Sequence, residues 1–202
     1  MIVLGLTGHM GAGKDAVADY LVAKHGFTKL SFATPLKDMV EKLDPYIDRE
    51  GTRLSHVLAE VGSGSEAVLK AHFPEVRRVW QVLGTDCIRA VDPTFWVRQA
   101  MAQVDRINDP YTRVVFADTR FPNEGKAIHN YGRLVGGCFA VPALWQIVRP
   151  GFDGDGHESE KWVGKMNEDD VIHNIEGLAQ LGYVVDLLME ELAEHEDVAI
   201  NG

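Results

Sequence analysis

The sequence predicts an α/β fold, a doubly wound parallel sheet, and three observations predict it. Ile2 to Leu6 and Val114 to Ala117 are short apolar runs without polar alternation, the pattern of strands covered on both faces. Segments with apolar residues at helical spacing separate such runs, as in Val17, Ala18, Leu21 and Val22. A glycine-rich turn, Gly8 to Asp15, joins the first strand to the first helix. Alternation of this kind gives right-handed parallel crossovers.

The elements follow in order. Lys14 to His25 is a helix stopped by Gly26, and Phe27 to Ala33 is a strand. Thr34-Pro35 opens a helix carrying Leu36, Met39, Val40 and Leu43 on one face. From Asp44 to Arg106 strand signals vanish, so residues 44–106 read as a helical insertion into a core of 1–43 and 107–202. Arg113 to Asp118 restores the strand signal, and Phe121 to Tyr131 is a helix. Arg133 to Val135 and Leu144 to Val148 read as strand material, Pro150 to Gly164 as a polar loop, Val171 to His173 as the last strand. Glu176 to His195 closes as a helix, and the expected fold is a five-stranded sheet in a single domain.

The 202 residues carry a net charge of -10, which argues against a duplex-binding face and for a small ligand served by local basic residues. Cys87 and Cys138 form neither a disulfide framework nor a metal spacing. No apolar run approaches a membrane span, and the expectation is a soluble protein of the cytoplasm with no nucleic-acid or membrane partner.

Gly8-His9-Met10-Gly11-Ala12-Gly13-Lys14-Asp15 has the spacing of a phosphate-binding loop: a glycine, four residues, then Gly13-Lys14. Glycines let backbone N–H groups wrap an anion, the following helix aims its N-terminal dipole at it, and Lys14 can reach the β and γ phosphates. Gly11, Ala12, Gly13, Lys14, Asp15 and Ala16 are therefore the expected nucleotide contacts of a P-loop NTPase fold. The Ser or Thr usual after the lysine is Asp15, itself a hard oxygen ligand for Mg²⁺, directly or through water. Gly11-x-Gly13-x-x-Ala16 also fits a dinucleotide fingerprint, but the second strand ends without the carboxylate that fold requires.

Asp118 ends an apolar strand, where it could hold Mg²⁺ or its waters, and Arg120 suits the charge on transferred phosphoryl oxygens. In the insertion, adjacent Arg77 and Arg78 could clamp a monophosphate, Gln81 and Asp86 could read a base edge, and Trp80 or Trp96 could stack on a base. Each taken alone also fits a surface ion pair or a core aromatic, Trp80 most of all because it lies on the apolar stripe.

The ordered set Gly8 to Asp15, Leu30 to Asp38, Gln81 to Asp86, Phe95-Trp96-Val97, Asp118-Thr119-Arg120, Val148 to Gly151 and Ile172-His173-Asn174 resembles the bacteriophage deoxynucleoside monophosphate kinases. The resemblance covers nearly the whole chain. It implies Mg²⁺-assisted transfer of the γ-phosphoryl group of ATP to a deoxynucleoside 5′-monophosphate, supplying DNA precursors for phage replication, with Lys14, Asp118 and Arg120 catalytic and Asp15 and Asp118 on the metal. It also implies that Phe32, Lys37, Arg78, Gln81, Thr85, Asp86 and Trp96 surround the acceptor nucleotide. A lid of about 149–166, with Arg149 and the His157-Glu158-Ser159-Glu160 cluster, would close over the site, and Asn174 would lie near the adenine. Residues Gly136 to Gln146 depart from the family's more direct passage into Val148-Arg149-Pro150. A homodimer is a further expectation from the insertion and the resemblance. Other readings of the same loop are a phosphomevalonate or dephospho-coenzyme A kinase, or an ATPase switch.

Overall fold

The computed structural model describes residues 1–61, 68–69, 72–107, 109, 111–134, 140–154 and 160–201. Five parallel strands form one sheet: β1 Ile2–Thr7, β2 Thr28–Leu30, β3 Arg113–Phe116, β4 Val141–Val148 and β5 Asp170–His173, in the order β2-β3-β1-β4-β5. The expected apolar first strand is the central one, and all six of its residues are buried. This is a doubly wound parallel α/β architecture.

Side-chain alternation divides β1 between two cores. Ile2, Leu4 and Leu6 face the helix α1, Lys14–His25, through Val17 and Leu21, and the C-terminal helix, Leu178–Asn201, through Leu181, Val185 and Met189. Trp145, Ile147 and Ile172 complete that layer. On the opposite face a Cβ at Gly5 would meet Ile128 and Leu144, so the helix Pro122–Leu134 packs close over the strand. Tyr20, Lys24 and His25 of α1 all engage Asp186 of the C-terminal helix, holding its carboxyl down at about 2, chiefly through the Lys24 hydrogen bond.

Parallel register sets the position of the site. Gly5 lies opposite Phe116, Thr7 opposite Gln146 and Val148 opposite His173. Residues just past these pairs, Gly8, Asp118, Arg149 and Asn174, therefore leave the sheet at one edge, beyond the carboxyl ends of the strands.

Backbone contacts divide the chain into two units, Met1–Phe32 with Ala100–Gly202, and Ala33–Gln99. The second is helical: α2 Thr34–Leu43, α3 Leu54–Val61, α4 Pro74–Gln81, a π-helical segment Val82–Arg89, and the start of α5, Phe95–Ile107. Val40, Leu54, Val57 and Val76 form its core, with Trp80 packed against it as its place on the apolar stripe suggests. We number the remaining helices α6, Pro122–Leu134, and α7, Leu178–Asn201.

Several expectations are corrected. Arg133 and Leu134 continue α6 and do not enter a strand, because a brief apolar run serves the last turn of a helix as well as a strand. Val135 lies outside the described residues. The second strand is only Thr28–Leu30, and Ser31 and Phe32 turn away to serve another purpose described below. Within the expected all-helical insertion, Tyr46 and Arg53 form an antiparallel bridge closed by Asp44 and Asp48, which accept the Ser55 and Thr52 N–H groups. Cys87 is a free, exposed thiol, whereas Cys138 lies outside the described residues. No helix among the described residues is long and apolar enough to cross a membrane.

Candidate functional site: the phosphate loop and its surroundings

The loop begins where β1 runs out. Gly8 has φ 144°, and a Cβ there would collide with the Ile147 carbonyl oxygen of β4, so only glycine passes this point. Gly11 and Gly13 also have positive φ, 79° and 112°, and Gly13 is the N-cap of α1.

The carbonyls of the loop are held from several directions. The Lys14 ammonium donates to the Gly8 and His9 oxygens at 2.8 and 2.9 Å. Arg149, stacked 4.4 Å over the Phe152 ring, donates to the Gly11 oxygen at 3.3 Å. Asn174 Nδ2 donates to the Ala12 oxygen at 2.8 Å. Ala16 sits in the first turn of α1, lining a groove of about 340 Å³ with Val17, Tyr20, Leu181 and Val185.

Charge converges on Lys14. Burial, and then the Arg120 guanidinium, pull its pKa down to about 8, while Asp15, Glu160 and Asp118 act in the opposite direction. An ammonium in this state is poorly solvated, so an incoming polyanion supplies the counter-charge it lacks.

The two carboxylates expected on a metal are differently held. Asp118 accepts the Ser31 hydroxyl at 2.6 Å and the Phe32 N–H at 3.0 Å, which is why the second strand ends at Leu30. Asp15 is largely exposed and pairs with Lys29 at 3.0 Å, and Lys29 also binds Asp19 at 2.9 Å. Arg120 is exposed, and its backbone N–H is fixed by the buried Glu124 carboxylate, which also accepts the Phe121 N–H. Sequence reasoning passed over Glu124, although Pro122 at the first helical position and a glutamate at the third form half of a capping box.

Glu160 brings the polar loop after β4 onto the phosphate loop. Its carboxylate accepts the Met10 N–H at 2.9 Å and stands 3.6 Å from His9 Nδ1. The neighbouring His157, Glu158 and Ser159 lie outside the described residues. Phe32 is 3% exposed, its ring stacked at 4.5 Å on Phe116.

The remaining expected residues lie in the helical unit. Lys37 places its ammonium 5.8 Å from the Trp80 ring centroid. Arg78 is committed to Glu75 on the helix surface, at 2.6 Å. Gln81 ends α4, Thr85 and Asp86 lie in the π-helical segment, and the buried Trp96 donates its Nε1 to the Gly84 oxygen at 2.9 Å. π-Helical turns concentrate at functional sites, and this one carries two of the expected acceptor residues, Thr85 and Asp86.

A model of the deoxynucleotide monophosphate kinase family matches residues 45–184, well over half of the chain. The chain belongs to this family. The match begins after the phosphate loop, so the family assignment and the loop reading are independent of each other. A protein of Acanthamoeba polyphaga mimivirus, provisionally named a deoxynucleotide monophosphate kinase, is 28% identical over 190 residues, spanning 85% of this chain and 87% of its own. Among solved structures, dephospho-CoA kinase from Campylobacter jejuni is 13% identical, with TM-score 0.48, over 96% of this chain and 99% of its own. The crystal structure of TT1252 from Thermus thermophilus is 17% identical, with TM-score 0.46, over 95% of this chain and 97% of its own. Membership in a kinase family makes the chain a nucleotide-binding phosphotransferase with ATP as the implied phosphoryl donor.

Proposed function

We propose that this family member transfers the γ-phosphoryl group of ATP to the 5′-phosphate of a deoxynucleoside monophosphate, with Mg²⁺, as a step in making DNA precursors in a virus-infected cell. The observation that supports this best is the setting of Lys14: a desolvated ammonium bonded to the Gly8 and His9 carbonyls, acted on by Arg120, Asp118 and Asp15. Such a group suits a polyphosphate, and the family match outside the loop supports a deoxynucleotide as the acceptor.

No covalent enzyme intermediate is required. An acceptor phosphate oxygen attacks in line, and the protein contributes position and charge: Lys14 and the loop N–H groups on the donor, Arg120 on the transferred group. Asp15 and Asp118 are the residues that would hold Mg²⁺. Two carboxylates suit this ion, which takes its remaining ligands from phosphate and water, and Ser31 and Phe32 already fix the orientation of one of them. When bound, the ion neutralises charge on the β and γ oxygens. Acceptor recognition falls to Lys37 of α2 and to Arg78, Gln81, Thr85, Asp86 and Trp96 of the insertion 44–106, and Phe32 is a further acceptor residue. Residues 149–166 act as the lid, whose closure keeps water from competing with the acceptor.

The test is ADP release from ATP and Mg²⁺ across a panel of deoxynucleoside and ribonucleoside monophosphates. We expect release that depends on a deoxynucleotide. ADP formation indifferent to every monophosphate would instead establish an ATPase.

A further inference from the structure

We infer that Asn174 is a positioning residue for the phosphate loop: by binding the Ala12 carbonyl it fixes the direction of the Gly13 N–H that receives the donor's phosphate. This rests on the kinase reading above.

The argument runs through one peptide unit. Ala12 and Gly13 share a planar trans peptide, in which C=O and N–H point in opposite directions. The Ala12 oxygen is 2.8 Å from Asn174 Nδ2. Of the two amide atoms only the nitrogen can donate, so the carbonyl itself dictates which way the Asn174 amide faces. With the oxygen drawn toward the end of β5, the Gly13 N–H is turned away from β5. Gly13 has φ 112° and no Cβ, and its peptide has a wide range of orientations unless something holds it.

Asn174 is itself well anchored. Its backbone N–H donates to the Val148 oxygen at 2.8 Å, continuing the pairing of β5 with β4 past His173. A Cβ on Gly13 would lie 2.7 Å from Asn174 Nδ2, so the amide is seated directly against the Gly13 backbone. The side chain is thus occupied by the loop at close range from a rigid strand end. A preorganised N–H aimed at an anion needs no reorganisation when that anion arrives, the condition under which a single donor contributes most.

This role and the adenine contact expected from the family resemblance predict different results, because only one of them needs a base. Inorganic tripolyphosphate offers the loop its phosphates and no base. In the full chain, Asn174→Ala should weaken binding of tripolyphosphate and of ATP alike, each by about tenfold, and raise the ATP KM while leaving the KM for the monophosphate and the ATP to GTP preference unchanged. Asn174→Leu, which keeps the volume and lacks the donor, should behave the same way, and serves if the alanine variant fails to fold. Weakened ATP binding with unchanged tripolyphosphate binding would overturn the inference in favour of a base contact. Unchanged binding of both would overturn it outright. If the unsubstituted chain bound neither ATP nor tripolyphosphate, the kinase reading would fall and this inference with it.

Discussion

The Glu160 carboxylate accepts the Met10 backbone N–H at 2.9 Å, which sets a negative charge against the loop that is built to receive phosphates. Its charge is also one of those that raise the pKa of Lys14. Glu160→Gln keeps an acceptor for Met10 and removes only the charge. At an effective dielectric near 20 such a charge several ångströms from a polyphosphate opposes it by on the order of 1 kcal/mol. ATP should therefore bind the variant about fivefold more tightly in calorimetry at low ionic strength, with the gain shrinking at high salt. Equal affinities at low salt would show that Glu160 swings clear before ATP arrives.

Lys14 gives a pH signature. Burial and Arg120 bring its pKa down to about 8, so the free loop loses its ammonium just above neutrality. ATP restores the counter-charge, and its binding between pH 8 and 9 should draw a proton from the buffer. Calorimetry in two buffers of different ionisation enthalpy reads this uptake, which should vanish in Lys14→Ala along with transfer, lowered at least ~10³-fold. The effect on folding has the opposite sign to that of a salt-bridged lysine. Because the folded pKa lies below the unfolded one, the unfolded chain holds more protons between pH 8 and 10.5. The penalty from Lys14, on the order of 3 kcal/mol at most, is complete below pH 8 and is relieved as pH rises through that window.

Two glycines with positive φ should respond differently to alanine. At Gly8 the added methyl would meet the Ile147 carbonyl oxygen, a backbone atom of β4 that cannot move without breaking the sheet. At Gly26, the C-cap of α1 with φ 69°, nothing lies within 4 Å of the added Cβ. Gly26→Ala should cost about 1 kcal/mol in urea unfolding, the left-handed penalty alone. Gly8→Ala should cost at least about 3 kcal/mol. Similar values for the two would mean that the β1 to β4 approach relaxes more easily than parallel pairing suggests.

What could be read from the chain follows what is local in it. The loop spacing encodes backbone conformation directly, so Gly8 to Lys14 and the helix after it were visible, as was Gly26 at the helix end. Strand ends marked by Asp118 and Asn174 were visible because apolar runs stop there. The partners of those residues were not. Asn174 reaches Ala12 across 162 residues and Glu160 reaches Met10 across 150, and no local pattern records which carbonyl or N–H a strand-end side chain will find. Parallel register decides that. Hydrophobic spacing likewise failed at Arg133, where a strand was expected and helix α6 continues, and it did not distinguish the π-helical segment from the α-helix before it. A pattern of apolar residues fixes a face, and small changes in turn width preserve that face.

The π-helical segment supplies the last test. Trp96 is 3% exposed and donates Nε1 to the Gly84 oxygen at 2.9 Å, while its ring packs edge-on against Phe95 at 4.9 Å. A Cβ on Gly84 would lie 2.6 Å from Leu36 Cδ2, so the segment packs close against α2 at the residue whose carbonyl Trp96 holds. Gln81, Thr85 and Asp86 flank it. Trp96→Phe keeps an aromatic ring but leaves the Gly84 oxygen without its donor, which should cost about 1 to 3 kcal/mol of stability in urea unfolding. If the segment reads the acceptor, its flanking side chains lose their fixed orientation as well, and the KM for the monophosphate should rise about tenfold with the ATP KM unchanged. A parallel rise in both would mean that Trp96 supports the helical unit as a whole and that acceptor recognition lies elsewhere in it.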